Sequence, residues 1–135
     1  MTGYSLLAPI PRMHLEGALS VLDEKEFALF GSESFDVFTN TEIGSRVLIY
    51  VSHDESEPFI TYEGRYGGLV GDPMEMRRLE RQGFRPPSTV GEKWAFYWKV
   101  TDLKKLDKPI PFSEIQLSSG GYLKGYPRGP LHIRN

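Results

Sequence analysis

The chain has 135 residues, 39% hydrophobic and 25% charged, which suits one domain whose core buries roughly two-thirds of the unfolded surface. It contains no cysteine, which excludes disulfides, thiolate zinc sites and cysteine nucleophiles and fits a reducing, cytoplasmic setting. The net charge of −2 is unevenly spread: residues 1–63 carry 11 acidic and 3 basic side chains, net −8, and residues 64–135 carry 7 and 13, net +6, as in a dipolar molecule whose basic side meets an anion.

Residues 4–10 read as a first strand closed by Pro9 and Pro11, with no basic-then-apolar leader over Met1–Ile10. Leu15, Ala18, Leu19 and Leu22 then form an amphipathic helical stripe. A short strand over Phe27–Phe30 leads through a capping loop to a short helix with Phe35 and Phe38 on one face. Gly44 ends that segment. Val47–Ser52 reads as a buried strand, and Val47–Val51 is the longest apolar run, too short to span a membrane. A polar turn over residues 53–58 separates it from a long strand, Phe59–Val70, whose Gly64, Gly67 and Gly68 predict bulges and a sheet curling towards a barrel.

Asp72-Pro73-Met74-Glu75 carries a complete helix start: a capping aspartate, proline at the first helical position and a capping-box glutamate. That basic surface helix, with Arg77, Arg78 and Arg81, is expected to reach Gln82 and stop at Gly83. Residues 85–88 are an extended loop. Trp94–Thr101 reads as a strand with Trp94, Phe96, Trp98 and Val100 on one face and Ala95, Tyr97 and Lys99 on the other. Pro109 and Pro111 then break the chain before a one-turn helix around Ser113–Leu117. The division is a domain over residues 1–117 and a Gly-, Pro- and Tyr-rich basic tail over 118–135 packed on it.

Catalytic signatures are absent: there is no Walker loop, Gly-x-Ser-x-Gly elbow or His-Glu-x-x-His helix. His53-Asp54-Glu55 is too sparse in regularly spaced oxygens for a hard cation, so no metal is expected. The pairs Asp23-Glu24 and Asp54-Glu55 lie in polar turns, and nothing calls for a cofactor. Trp94, Phe96 and Trp98 are first of all core material. Tyr97 and Lys99 on the other face, beside the arginines of the second half, supply a stacking plate and cations, which a base or a single strand requires.

The order of elements resembles the PUA-like superfamily, and within it the EVE domains and the related ASCH domains. The resemblance covers about residues 4–117. It rests on Ile43-Gly44-Ser45-Arg46-Val47-Leu48-Ile49-Tyr50, on Glu63-Gly64-Arg65-Tyr66-Gly67-Gly68-Leu69-Val70, and on Trp98–Leu103 followed by Asp107-Lys108-Pro109-Ile110-Pro111-Phe112. It implies an α+β fold, a strongly curved mixed β-barrel flanked by short helices, with a pocket that accepts a nucleobase, often modified, or holds RNA. Arg65, Trp94, Tyr97, Trp98, Ser118 and Tyr122 are expected at that pocket, with Lys124 and Arg128 on phosphate. Two other readings stay open: a protein-interaction or assembly module using the tail from Gly120, and a small enzyme acting on a nucleotide-like anion through Arg65. The expected partner is nucleic acid or a nucleobase and not a membrane; the oligomeric state, a homodimer included, is left open.

Overall fold

A computed structural model describes residues 4–33, 35–52, 58–86, 94–127 and 129–134. In chain order these form β1 (Tyr4–Pro11), α1 (Arg12–Leu22), β2 (Ala28–Ser32), α2 (Phe35–Thr39), β3 (Arg46–Ser52), β4 (Phe59–Val70), α3 (Pro73–Arg81), β5 (Phe96–Pro111), a 3-10 turn (Phe112–Glu114) and β6 (Leu131–Arg134). The six strands make one curled sheet in the order β2-β5-β4-β3-β1-β6. β1 and β3 run parallel, joined through α1, β2 and α2, and every other pairing is antiparallel. The protein is therefore mixed α+β, a half-barrel sheet with short helices. Among the described residues no helix is long and apolar enough to cross a membrane.

The curl originates on β4. Its register with β5 shifts three times, between Ile60 and Tyr62, Glu63 and Arg65, and Tyr66 and Gly68, and each shift adds local twist. The glycines read as bulge markers sit at two of these shifts. Three clusters of buried side chains result. The first packs α1 and α2 on one face of the sheet and includes Leu6, Leu15, Ala18, Phe30, Phe38, Tyr66, Phe96, Trp98 and Val100. The second, around Leu7, Leu48, Tyr50, Ile60, Phe112 and Ile133, lies on the other face of β1 and β3. The third joins Leu29, Val70 and Tyr97 to Leu79 of α3 and to Phe84. Burial of the Tyr66 hydroxyl, which donates to Phe38 O at 2.8 Å, pushes its pKa up to about 12.

α3 starts as its sequence dictates, with the Glu75 amide donating to Asp72 Oδ2 at 3.0 Å and Pro73 in the first turn, and it ends at Gly83. The inward stripe of α1 is Leu15, Ala18 and Val21, with Leu19 and Leu22 half-buried at its margin, a small rotation from the expected face. The side chain of Phe35 and the polar turn 53–57 lie outside the described residues.

Two expectations about the aromatic strand need correction. β5 begins at Phe96, not Trp94, and continues through Pro109 to Pro111 instead of ending at Thr101. β2 pairs only with residues 96–100. Beyond them β5 is an edge strand, where a missing proline N–H costs no ladder bond. Trp94 also lies on the side opposite to Phe96 and Trp98, against the third cluster with Tyr97. Pairing that would fix the pleat starts only at Phe96, and the indole instead seats on Gly31, where a Cβ would come within 2.2 Å of the Trp94 ring.

One ion-pair group spans the middle of the sheet. Glu63 of β4 is 2.8 Å from Arg46 Nη2 on β3 and 3.6 Å from Lys104 on β5. Burial lifts its carboxyl, but the hydrogen bond and charge of Arg46, with those of Lys104, outweigh burial and hold it below the usual range. A depressed carboxyl stabilises the fold above the ordinary carboxylate pKa, and the contribution fades as pH falls through the native value. Glu63→Gln is expected to cost about 0.5–1 kcal/mol at pH 7. The difference should shrink as pH falls and vanish only at a second, acid pH low enough to protonate the native carboxylate as well as the unfolded one. Urea midpoints of both proteins at the two pH values check this; an equal loss at both would assign the effect to packing.

Candidate functional site

The residues expected at one pocket are divided among separate parts of the fold. Arg65 is exposed on β4, directly across from Arg46 and Thr101. Trp98 is 1% exposed and packs on Phe30, Phe38 and Tyr66, so its faces are already covered. Tyr97 is equally buried, with its hydroxyl bonded to Glu80 and the Arg85 guanidinium over its ring. Arg85 also donates to Glu80 at 2.8 Å. Burial, then the bond to Glu80, raises the Tyr97 pKa, against the opposing charge of Arg85. This trio ties α3 to β5. Ser118, Tyr122 and Lys124 are exposed near β6, and Arg128 lies outside the described residues, as do His53, Asp54 and Glu55.

Ser118 and Tyr122 do share a surface, and strand parity shows with what. Leu6 pairs with His132 and Tyr4 with Arg134 across β1 and β6. Leu117 bridges Ile133, the Arg134 amide donates to Gln116 O at 2.8 Å, and Gln116 bridges Tyr122. Directly paired residues of antiparallel strands face the same way. Tyr4, Leu6, His132, Arg134, Gln116, Ser118 and Tyr122 therefore share one face, while Leu7, Ile133, Leu117 and Leu123 point into the second cluster. On the first face Leu6 is sealed under the core that α2 covers, and α2 ends before reaching Tyr4.

A cavity of about 400 Å³ opens there, lined by Tyr4, Asn40, Thr41, Ser45 and His132. The Tyr4 and His132 rings are nearly parallel, 21° between planes and 6.4 Å between centroids, and Tyr4 is 39% exposed. Hydrogen-bond bookkeeping fixes the imidazole. The Thr41 hydroxyl gives its single proton to Val37 O at 2.6 Å, so at 2.8 Å from His132 Nε2 it can only accept. Nε2 therefore carries the hydrogen, and in the neutral ring Nδ1 is a bare acceptor. Asn40 uses its amide nitrogen on Asp36 O at 2.9 Å, leaving the carboxamide oxygen without a partner among the described residues. The lining thus offers ring faces, two acceptors and the Ser45 hydroxyl.

A larger cleft of about 560 Å³, between α1 and Asp102–Leu103, differs in chemistry: its charged lining is Glu16, Asp23, Glu26 and Asp102 with Lys25, and it contains no ring. It repels anions. Among the described residues the side chains with displaced pKa values, Tyr50, Glu63, Tyr66, Arg78 and Tyr97, line neither cavity. No group of three His, Asp or Glu among them is placed to hold a metal.

The sequence reading missed Tyr4, Asn40, Thr41, Ser45 and His132. The one local signal was the alternation Leu131-His132-Ile133-Arg134, which puts His132 and Arg134 on a common face. No protein-family model matches the chain, and no curated protein does.

Proposed function

We propose that the chain is a PUA-like domain that binds nucleic acid by taking a base, plain or modified, into the Tyr4–His132 cavity, as a reader and not a catalyst. The carrying observation is the Val37–Thr41–His132 chain of hydrogen bonds, which presents a ring with a defined acceptor beside the accessible Tyr4 ring. A flat heteroaromatic ring with N–H groups on its edge satisfies both features, stacking on one and donating to the other. The volume suits it, since small-molecule cavities begin at about 300 Å³. The curled sheet supports the PUA-like assignment, and the proposal moves the base away from Arg65, Trp94, Tyr97 and Trp98.

The tail favours this over an assembly arm. Tyr126 packs on Tyr50 and Phe112, and the Tyr50 hydroxyl donates to Pro127 O at 2.6 Å, so the tail is fastened to its own domain.

The test is calorimetric titration with the four nucleoside monophosphates. At least one is expected to bind at about 1 mM or better. Tyr4→Ala and His132→Ala should each weaken it about tenfold, the worth of one stacked base or one charge-free hydrogen bond to a buried partner. Binding by none of the four, or binding indifferent to both substitutions, would remove the cavity from consideration.

A further inference from the structure

The face that carries the cavity does not end at Arg134. Continuing along the same rung, Tyr4, Arg134, Gln116 and Tyr122 stand side by side across the sheet edge. At roughly 4.8 Å per inter-strand step the row spans about 14 Å. Tyr122 is 53% exposed and Arg134 and Lys124 are exposed, while no carboxylate stands in the row. The only hydrogen bond of the Arg134 guanidinium among the described residues is a long one, 3.4 Å, to Ser118 O, and Lys124 pairs with no acid among them.

The hairpin that positions Tyr122 is closed by its own backbone, Gly120 N to Leu117 O at 2.9 Å and Leu117 N to Gly121 O at 2.7 Å. Leu123 is buried in the second cluster, which anchors the strand and leaves Tyr122 pointing the other way. Two aromatic plates at the ends of a row with a cation between them match a ligand with two flat rings joined by an anion. Charge complementarity commits the occupant: a nucleic acid has that alternation, whereas an acidic peptide has the charge without the paired rings.

We infer that the ligand is a single-stranded oligonucleotide of at least two nucleotides, with one base in the Tyr4–His132 cavity, the linking phosphate at Arg134 and the neighbouring base stacked on Tyr122. This rests on the cavity reading and adds a second subsite, with Lys124 placed for the next phosphate. Duplex ends do not fit, because both bases must be unstacked from each other to reach separate plates.

The experiment compares uridine monophosphate with single-stranded tetrauridylate on wild type, Tyr122→Ala and Tyr122→Phe. Tetrauridylate is expected to bind at least about tenfold tighter than the monophosphate, from one further stacked base. Tyr122→Ala should remove most of that gain and leave the monophosphate unchanged; Tyr122→Phe should restore it. Retention of the whole gain in Tyr122→Ala overturns the inference, as does displacement of tetrauridylate by polyglutamate as effectively as by tetrauridylate itself. The two readings fail separately. Monophosphate binding lost in Tyr4→Ala, with no role for Tyr122, keeps the cavity alone. A Tyr122-dependent gain with Tyr4 and His132 silent contradicts the cavity, and this two-base inference with it.

Discussion

Trp98→Ala is expected to destabilise the protein by about 3–5 kcal/mol, the range for deleting a large aromatic from a packed core. Trp98 is 1% exposed and central to the first cluster, with Phe38 at 5.0 Å, Phe30 at 5.2 Å and Tyr66 at 6.2 Å between ring centroids. Phe38 belongs to α2 and Phe30 to β2, so the indole fastens a helix and an edge strand to the first part of β5. Its loss would leave a cavity that these rings cannot all close at once. Trp94→Phe is the informative partner. The Trp94 Nε1 is buried with no acceptor among the described residues, so phenylalanine removes a donor unsatisfied by them and keeps a ring over Gly31, for a change within about 1 kcal/mol of neutral. Denaturant unfolding of the two variants measures both, and a Trp98→Ala protein as stable as Trp94→Phe would contradict the assignment of Trp98 to the core.

Gly64→Ala is expected to cost about 1–3 kcal/mol, the range for overpacking. A Cβ there would lie 2.9 Å from Val100 Cγ2 and 3.0 Å from the Thr101 carbonyl oxygen of β5. The carbonyl belongs to the backbone opposite one of the three register shifts that curl the sheet, and it cannot yield without opening the β4–β5 ladder. Gly71→Ala, just past the end of β4, meets nothing within 4 Å and should be neutral. Equal midpoints for the two variants in urea would mean that the close approach at Gly64 is not a constraint.

Local signals carried much of the fold. Asp72, Pro73 and Glu75 encode the start of α3 within four residues, and the alternation of Phe96, Trp98 and Val100 against Tyr97 needs only the pleat. The glycines of β4 pointed to curling because their reason, close backbone approach, is visible in composition. What failed to show depends on partners distant in sequence. Pro109 and Pro111 read as breakers until it is known that β2 leaves that part of β5 unpaired. Trp94 changes sides because its seat is Gly31, more than sixty residues earlier. The cavity draws Tyr4, Asn40 to Ser45 and His132 from the beginning, middle and end of the chain. Parallel pairing of β1 with β3 and antiparallel pairing of β1 with β6 bring them together, and no window of sequence contains that geometry. Ser118 and Tyr122, expected near a base, stand on the cavity's face; Arg65 and Tyr97 do not, and Trp98 shares that face only as part of the buried first cluster.

The central claim is that His132 offers a bare Nδ1 to a base in the cavity, and long-range proton–nitrogen NMR of the imidazole tests it most directly. Spectra recorded at neutral pH, without and with each nucleoside monophosphate, should show Nε2 protonated in the free protein and the Nδ1 resonance moving as one of the nucleotides saturates. A hydrogen found on Nδ1 in the free protein, or ring nitrogens unmoved by all four nucleotides, would contradict the account.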